Sequence, residues 1–389
     1  MPIDINSYKN AITELAQQLV RIKSYSSQEG PIIEFLEQKM IELGFDNVKI
    51  DAMGNLLGTM GEGPKSILFD SHVDTVEVPD EKEWEFPPFG GVVSRGRLHG
   101  RGSVDMKSSL AASIYAAVAA KHAGQLAGKK VMISCTVNEE DCDGENLKFL
   151  FSSLGIRPEF VVICEPSGNN IALGHKGKAQ VIIRADGKSA HGSAPEKGVN
   201  AVYEMAEIIQ RVEAKNFALA KLEKDGLKPT LVLSRISSEA ASLNAVPFSC
   251  EVYLDRRTIP GETEAVIRQE MDALVAGKKA IWEPGVLRRK SWRGFDIHYM
   301  PIHPAWKIEE DAYLTKKCLE AYNLTFGRNP QKFEFWDFST NAVTPVTLGI
   351  PTIGFGPGDY KMAHMRDESI EVSQIQDACA FYANLIALI

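Results

Sequence analysis

The chain has 389 residues, 44% hydrophobic and 24% charged, with a formal net charge of −8. That length exceeds one ordinary core and suits two domains. The acidic balance, without a basic stripe interleaved with aromatics, argues against a nucleic-acid partner, and no apolar run approaches the ~20 residues of a membrane span.

The first 25 residues lack the basic start and apolar block of a secretory leader. They read as an amphipathic helix on Ile12, Leu15, Leu19 and Ile22, and the chain is expected to stay in the cytoplasm. Residues 1–60 predict two helices and a small strand-turn region. From about residue 65, short apolar runs at 66–69, 131–137, 160–164 and 352–355 alternate with helical stretches, the clearest being the alanine-rich 108–120. Such alternation predicts an α/β domain, a mostly parallel sheet with helices on both faces.

The middle of the chain differs. KAQVIIRAD, a Gly/Ser/Pro loop and NAVYEMAEIIQRVEA read strand, loop, helix. TLVLSRISS and FSCEVYLDRR read as two strands and ETEAVIRQEMDALVA as a second helix. The expected organisation is a discontinuous domain of residues 1–176 and 296–389, with an α+β unit inserted at 177–295. Six scattered cysteines form no CxxC pair, so no disulfide framework or zinc knuckle is suggested. Cys142 reads as a buried thiol and His175 as a structural residue at the junction.

The residues that follow the apolar runs carry chemistry. His72 and Asp74 follow the first, Glu139 and Glu140 the second and Glu165 the third. His364 lies beyond the fourth, and Asp105 stands just before the alanine-rich helix. Each alone reads as a solvated strand end or turn. In an open α/β sheet, however, sites form at the carboxyl ends of strands, where these segments would converge. Two histidines, one aspartate and two glutamates suit a pair of divalent cations, zinc, manganese or cobalt, rather than a thiolate site. Two such cations about 3.5–4 Å apart share a carboxylate, and Asp105 is the natural bridge. Asp74 would orient His72 by accepting its second ring N–H. One of Glu139 and Glu140 suffices as a ligand, which frees the other as a base. A Ser/His/Asp hydrolase built on His72 and Asp74 lacks a G-x-S-x-G elbow and has no use for three glutamates.

SHVDTV, WEFPPFGG, GRGSVDMK, NEEDCDG, CEPSG, KSAHGSAPEKGVNA, DRRTIPGE and GIPTIGFGPG with Ala-His follow one another along nearly the whole chain. In these pieces the sequence resembles the M20 metallopeptidases and amidohydrolases: aminoacylases, carboxypeptidases, acetylornithine deacetylase and succinyl-diaminopimelate desuccinylase. Within them it is most similar to the YgeY-like, selenium-metabolism-linked hydrolases. The resemblance implies one metal on His72, Asp105 and Glu165 and another on Asp105, Glu140 and His364. Glu139 would be the general base. The inserted unit would be a ferredoxin-like lid and dimerisation domain, giving a homodimer. His191 would stabilise the oxyanion, often across the dimer. Asn244, Arg257 and Gly356 would contact substrate, Arg257 through a carboxylate, while the adjacent Arg256 reads as a surface salt bridge. The family commonly has Lys-Gly after the bridging Asp-Met; here Lys107 precedes Ser108. The implied activity is cleavage of a small N-acyl amino acid or dipeptide-like amide through a metal-bridging water. The alternatives are a ureido- or carbamoyl-amino-acid hydrolase, or a binding protein that kept the fold.

Overall fold

In the computed structural model, which describes residues 2–389, alternate residues of the central strands pack into two different cores. Ile67 and Phe69 of the strand Lys65–His72 enter one cluster and Leu68 the other. Val131 and Ile133 are separated from Met132 in the same way, and Val162 from Val161. A pleated strand has a two-residue period, so helices on both faces require an unbroken apolar run.

Lys129–Thr136, Lys65–His72, Phe160–Ile163 and Thr352–Gly354 are parallel neighbours at the centre of the sheet. Antiparallel strands extend it on both sides: Leu56–Met60 and Asn47–Ile50 on one, Ala172–His175 and Trp306–Lys307 on the other. The nine-stranded sheet is thus mixed, with parallel pairing concentrated at the centre.

The helix Lys107–His122 lies on the strand Lys65–His72, between the helices Lys9–Arg21 and Val372–Leu388. Fourteen of its residues are buried. Its alanines and serines allow neighbours to approach on every side, which explains why its sequence shows no single apolar face.

A second sheet runs Thr230–Glu239, Ser249–Thr258, Gly177–Asp186, Ala280–Pro284. With the helices Ala201–Leu219 and Glu264–Val275, its chain order is strand, helix, strand, strand, helix, strand. That is the ferredoxin-like arrangement, and Val181, Ile183, Met205, Ile208, Val252 and Met271 contribute to its own core. On its other face Lys178 stands directly opposite Arg257, and Gln180 opposite Asp255.

The return to the larger core comes before residue 296. Leu287–Lys290 pairs with Asp296–Tyr299 as a hairpin, and Leu287, Trp292, Phe295 and Tyr299 pack against the large cluster. Ile302–His303 then rejoins the smaller sheet beside Gly177–Asp186. The expected boundary at 295/296 therefore falls inside a hairpin that belongs to the larger body. No helix among the described residues is long and apolar enough to cross a membrane.

Trp292 packs against Gly30 and Gly54, and a Cβ on Gly54, which has φ 107°, would overlap the indole nitrogen. Gly54→Ala is expected to lower stability by about 2–4 kcal/mol through backbone strain and displacement of the hairpin, as read by urea denaturation.

Candidate metal centre

The carboxyl ends of the parallel strands open into a cavity of about 280 Å³, lined by His72, Asp105, Glu139, Glu140, Glu165 and His364 among others. His72 closes its strand. Its Nε2 lies 2.8 Å from Asp105 Oδ1 and 3.7 Å from Glu165 Oε1. His364 Nε2 lies 3.3 Å from Asp105 Oδ2 and 3.0 Å from Glu140 Oε1. The two imidazoles thus sit on opposite oxygens of one carboxylate, each beside a different glutamate. The ligand atoms of His72, Glu139 and Glu165 lie within 4.8 Å of one another.

The donor set fits divalent cations. Ligands held tetrahedrally at ~2.0–2.2 Å stand about 3.4 Å apart, and the separations from the two imidazoles to their carboxylates, 2.8–3.7 Å, bracket that distance. The electrostatics agree. Burial drives the carboxyls of Glu139, Glu140 and Glu165 upward, and neighbouring carboxylates push the same way. Burial also opposes ionisation of Asp105, yet hydrogen bonds with His364 and His72 hold it well below the ordinary range. Hydrogen bonds to Asp105 and Glu140 raise His364 to about 10. Protonated imidazoles thus supply positive charge that a cation would otherwise bring.

Asp74 departs from expectation. The strand ends at His72, and His72 Nδ1 donates to the Asp74 carbonyl oxygen at 2.9 Å; the carboxylate is 3.6 Å away. That carboxylate instead accepts the backbone N–H groups of Glu139, at 3.0 Å, and Glu140, at 3.2 Å, and the Ser26 hydroxyl at 2.8 Å. It holds the turn that bears both glutamates.

The remaining expected residues divide. Arg257 lines the cavity, with its guanidinium on Asp255 at 2.7 Å. Arg256 is not a surface residue: it is fully buried and paired with Glu262 and Glu270. His191 is exposed, with its ring on Ser193 at 2.7 Å, and Asn244 lies beside it, accepting the Gly192 N–H. Neither lines the cavity of this chain. Gly356 has no free backbone for a substrate, because its N–H and C=O are both bonded to the loop at Ser167 and Asn169. A Cβ there would strike the carbonyls of Cys164 and Glu165, so the glycine serves close packing. His175 is buried, and so is Cys142, as expected of it.

Four supporting groups escaped the sequence. Glu368 accepts the N–H groups of Val104, at 2.8 Å, and Asp105, at 3.2 Å, and pairs with Arg101 at 2.5 Å. Arg101 also donates to the carbonyl of His364 at 3.3 Å, so the pair joins the segments of Asp105 and His364. Glu29 accepts the N–H of Asn138, which has φ 55°, at 2.9 Å. Asp143 lines the cavity with Lys178, to which it is paired at 2.6 Å. Asp143 stood in plain view in NEEDCDG. The other three offered no signal, because their partners are distant in sequence.

A family model described as Peptidase family M20/M25/M40 matches residues 68–388. The Escherichia coli K12 protein YgeY, itself uncharacterized, is 37% identical over 97% of this chain and 94% of its own. Acetylornithine deacetylase of Proteus mirabilis is 28% identical over 99% of this chain and 96% of its own. The crystal structure of aminopeptidase PepT from Bacillus cereus superimposes with a TM-score of 0.75 at 22% identity, covering 97% of this chain and 98% of that one. The Bacillus subtilis YXEP protein, described as a dinuclear metal binding peptidase, gives 0.71 at 14% identity over 98% of each chain.

Burial, with Asp74 adding its charge, lifts the Glu29 carboxyl to about 8. A carboxyl raised on folding binds its proton more tightly in the folded state, so stability falls as pH climbs from the unfolded value toward 8. Glu29→Gln keeps an acceptor for Asn138 without the charge. In metal-free protein its stability advantage should be near zero at pH 4 and grow to about 1–3 kcal/mol by pH 8, measured by denaturation across that range.

Proposed function

The chain belongs to peptidase family M20/M25/M40, and from that premise we propose that it is a two-cation amidohydrolase acting on a small N-acyl amino acid or dipeptide-like substrate. A metal-dependent hydrolase of amide bonds is the activity of this family; the cation pair, the roles of residues and the substrate class are the finer proposal. One observation carries it: two imidazoles on opposite oxygens of Asp105, each with its own glutamate, and Glu139 beside them.

His72, Asp105 and Glu165 would hold one cation, and Asp105, Glu140 and His364 the other, with zinc, manganese and cobalt all compatible with the donors. Such cations, when bound, acidify a water and polarise an amide carbonyl. Glu139 accepts a proton from that water and returns it to the departing nitrogen. The water oxygen joins the acyl carbon, the C–N bond breaks, and the amine leaves protonated. Glu139 is buried beside other carboxylates, which raises its proton affinity and suits it to carry that proton.

Arg257 would fix a substrate carboxylate, a task its planar guanidinium performs bidentately. Its present partner Asp255 lies on the same strand and would yield to an incoming anion. The names of relatives support an amino-acid substrate bearing an acyl group, since acetylornithine deacetylase and succinyl-diaminopimelate desuccinylase align over nearly the whole chain. The inserted unit, from residue 177 to about 284, would act as a lid and join two copies. His191 and Asn244, exposed and away from the cavity of their own chain, fit a role at the site of a second copy. Exposed Tyr203, Phe217, Val232, Ile236 and Leu243 of the same unit supply apolar surface for that contact.

Elemental analysis should find about two divalent metals per chain, and chelation should abolish turnover until zinc, manganese or cobalt is restored. A panel of N-acyl amino acids, dipeptides and ureido acids names the substrate class; hydrolysis of ureido acids alone would overturn the acyl assignment. Glu139→Ala should retain its metals and lose activity by about a hundredfold or more; undiminished turnover would remove Glu139 as the base. Mixing inactive His191→Ala and Glu139→Ala chains should regenerate activity if His191 serves the partner's site, and no recovery would place it elsewhere.

A further inference from the structure

The turn Glu139–Cys142 has four residues, far fewer than an isolated helix needs to persist. It is entered through Asn138 at φ 55° and left through Gly144 at φ 85°. Its position is therefore imposed from outside. Asp74 and Glu29 hold its amino end. Its carboxyl end meets the hairpin of residues 287–299, which the expected division of the chain had cut through.

Two contacts join them. Arg289 Nε donates to Asp141 Oδ2 at 2.8 Å. The Tyr299 hydroxyl donates to Asp143 Oδ1, and Lys178 Nζ reaches the same oxygen at 2.6 Å. Tyr299 and Asp143 are 1% and 2% exposed, so this is an interior contact where a hydrogen bond to a charged group counts most.

The hairpin is itself anchored to the larger body. Trp292 Nε1 donates to the Gly54 carbonyl at 3.2 Å, and Arg293 to the Asp51 carbonyl at 2.9 Å. The ring of Phe295 lies 4.5 Å from that of Phe149. In the chain it stands between Ala280–Pro284 and Ile302–His303, both strands of the smaller sheet, and His303 pairs with Lys178. Asp143 thus receives one bond from the hairpin and one from the root of the smaller unit.

Resting on the two-cation assignment, we infer that this hairpin is a clamp for the catalytic turn. Arg289 and Tyr299 are positioning residues for Glu139 and Glu140, acting through Asp141 and Asp143. The consequence is selective. Glu140 is the only proposed ligand on the turn, so loosening the clamp weakens the cation held by Glu140 and His364. The cation on His72 and Glu165 keeps its ligands.

The test titrates metal-free protein with Co²⁺, followed by calorimetry and by visible absorption. Wild type should bind two ions per chain. Tyr299→Phe, nearly isosteric, and Arg289→Ala, at a half-exposed side chain, should each weaken one of the two sites about tenfold or more, alter the absorption of that ion, and leave the other site within about twofold. Arg289→Lys should recover part of the loss. Lys290→Ala, which removes an exposed pair with Asp296 on the same hairpin, should change neither site. Unchanged affinities and spectra in Tyr299→Phe and Arg289→Ala overturn the clamp, as does an equal weakening of both sites accompanying a general loss of thermal stability. Fewer than two cobalt ions on wild type would instead sink the two-cation assignment and the clamp with it.

Discussion

Several carboxylates are buried within a few ångströms of one another, and the architecture around them answers that constraint. Asp105, Glu139, Glu140 and Glu165 share one cavity with the imidazoles of His72 and His364. Such a cluster repels itself, and each member loses hydration. Two of its three segments are fixed from behind. Asp74 takes the N–H groups of Glu139 and Glu140, Glu368 those of Val104 and Asp105, and Glu29 that of Asn138. In each case a supporting carboxylate binds the backbone of a segment whose side chain faces the cavity. Charge is added behind the site, and part of it is neutralised there, as Arg101 does for Glu368. The cations the site is proposed to hold would complete that balance from the front.

The fold makes this crowding possible. Parallel strands deliver their carboxyl ends to one edge, and each connection passes over a face of the sheet before the next strand begins. Residues 72, 139 and 165 therefore arrive together although long stretches of chain separate them. The packed helix Lys107–His122 sets Asp105 beside them, and its small side chains allow it to lie close to the strand of His72. The smaller sheet contributes from the opposite wall, where the register places Lys178 and Arg257 side by side. The cavity is thus chemically divided. One wall is anionic and suited to metal, and the other carries cations that could receive an acidic substrate.

Much of this was legible in the sequence. Apolar runs that stop abruptly at His, Asp or Glu located the strand ends, and the whole candidate ligand set converges where those ends meet. The period-two and helical patterns also gave the class of fold and the smaller α+β unit, since side-chain burial repeats along each element in a way that composition alone does not hide. Misreadings arose where position depends on a partner elsewhere. Strand geometry would put residues i and i+2 on one face, so the sequence pairs Asp74 with His72, but the strand ends at His72 and the carboxylate turns to the Glu139 backbone. The family resemblance implies a substrate contact at Gly356, yet the neighbouring loop at Ser167 occupies its backbone. Arg256 and Arg257 point to opposite faces of one strand, and nothing local says that the buried one meets Glu262 and Glu270.

The sequence by itself determined the main elements, the α/β class of the fold and the inventory of candidate ligating side chains, because these follow from periodicities and residue types along the chain. Only the tertiary structure decided which oxygen of Asp105 faces which imidazole, which carboxylates stand behind the site, and that residues 287–299 reach back to the catalytic turn. Those arrangements depend on contacts between segments up to 267 residues apart, as for Arg101 and Glu368. No local pattern encodes such a contact, because its energy is realised only after both segments have been packed into place.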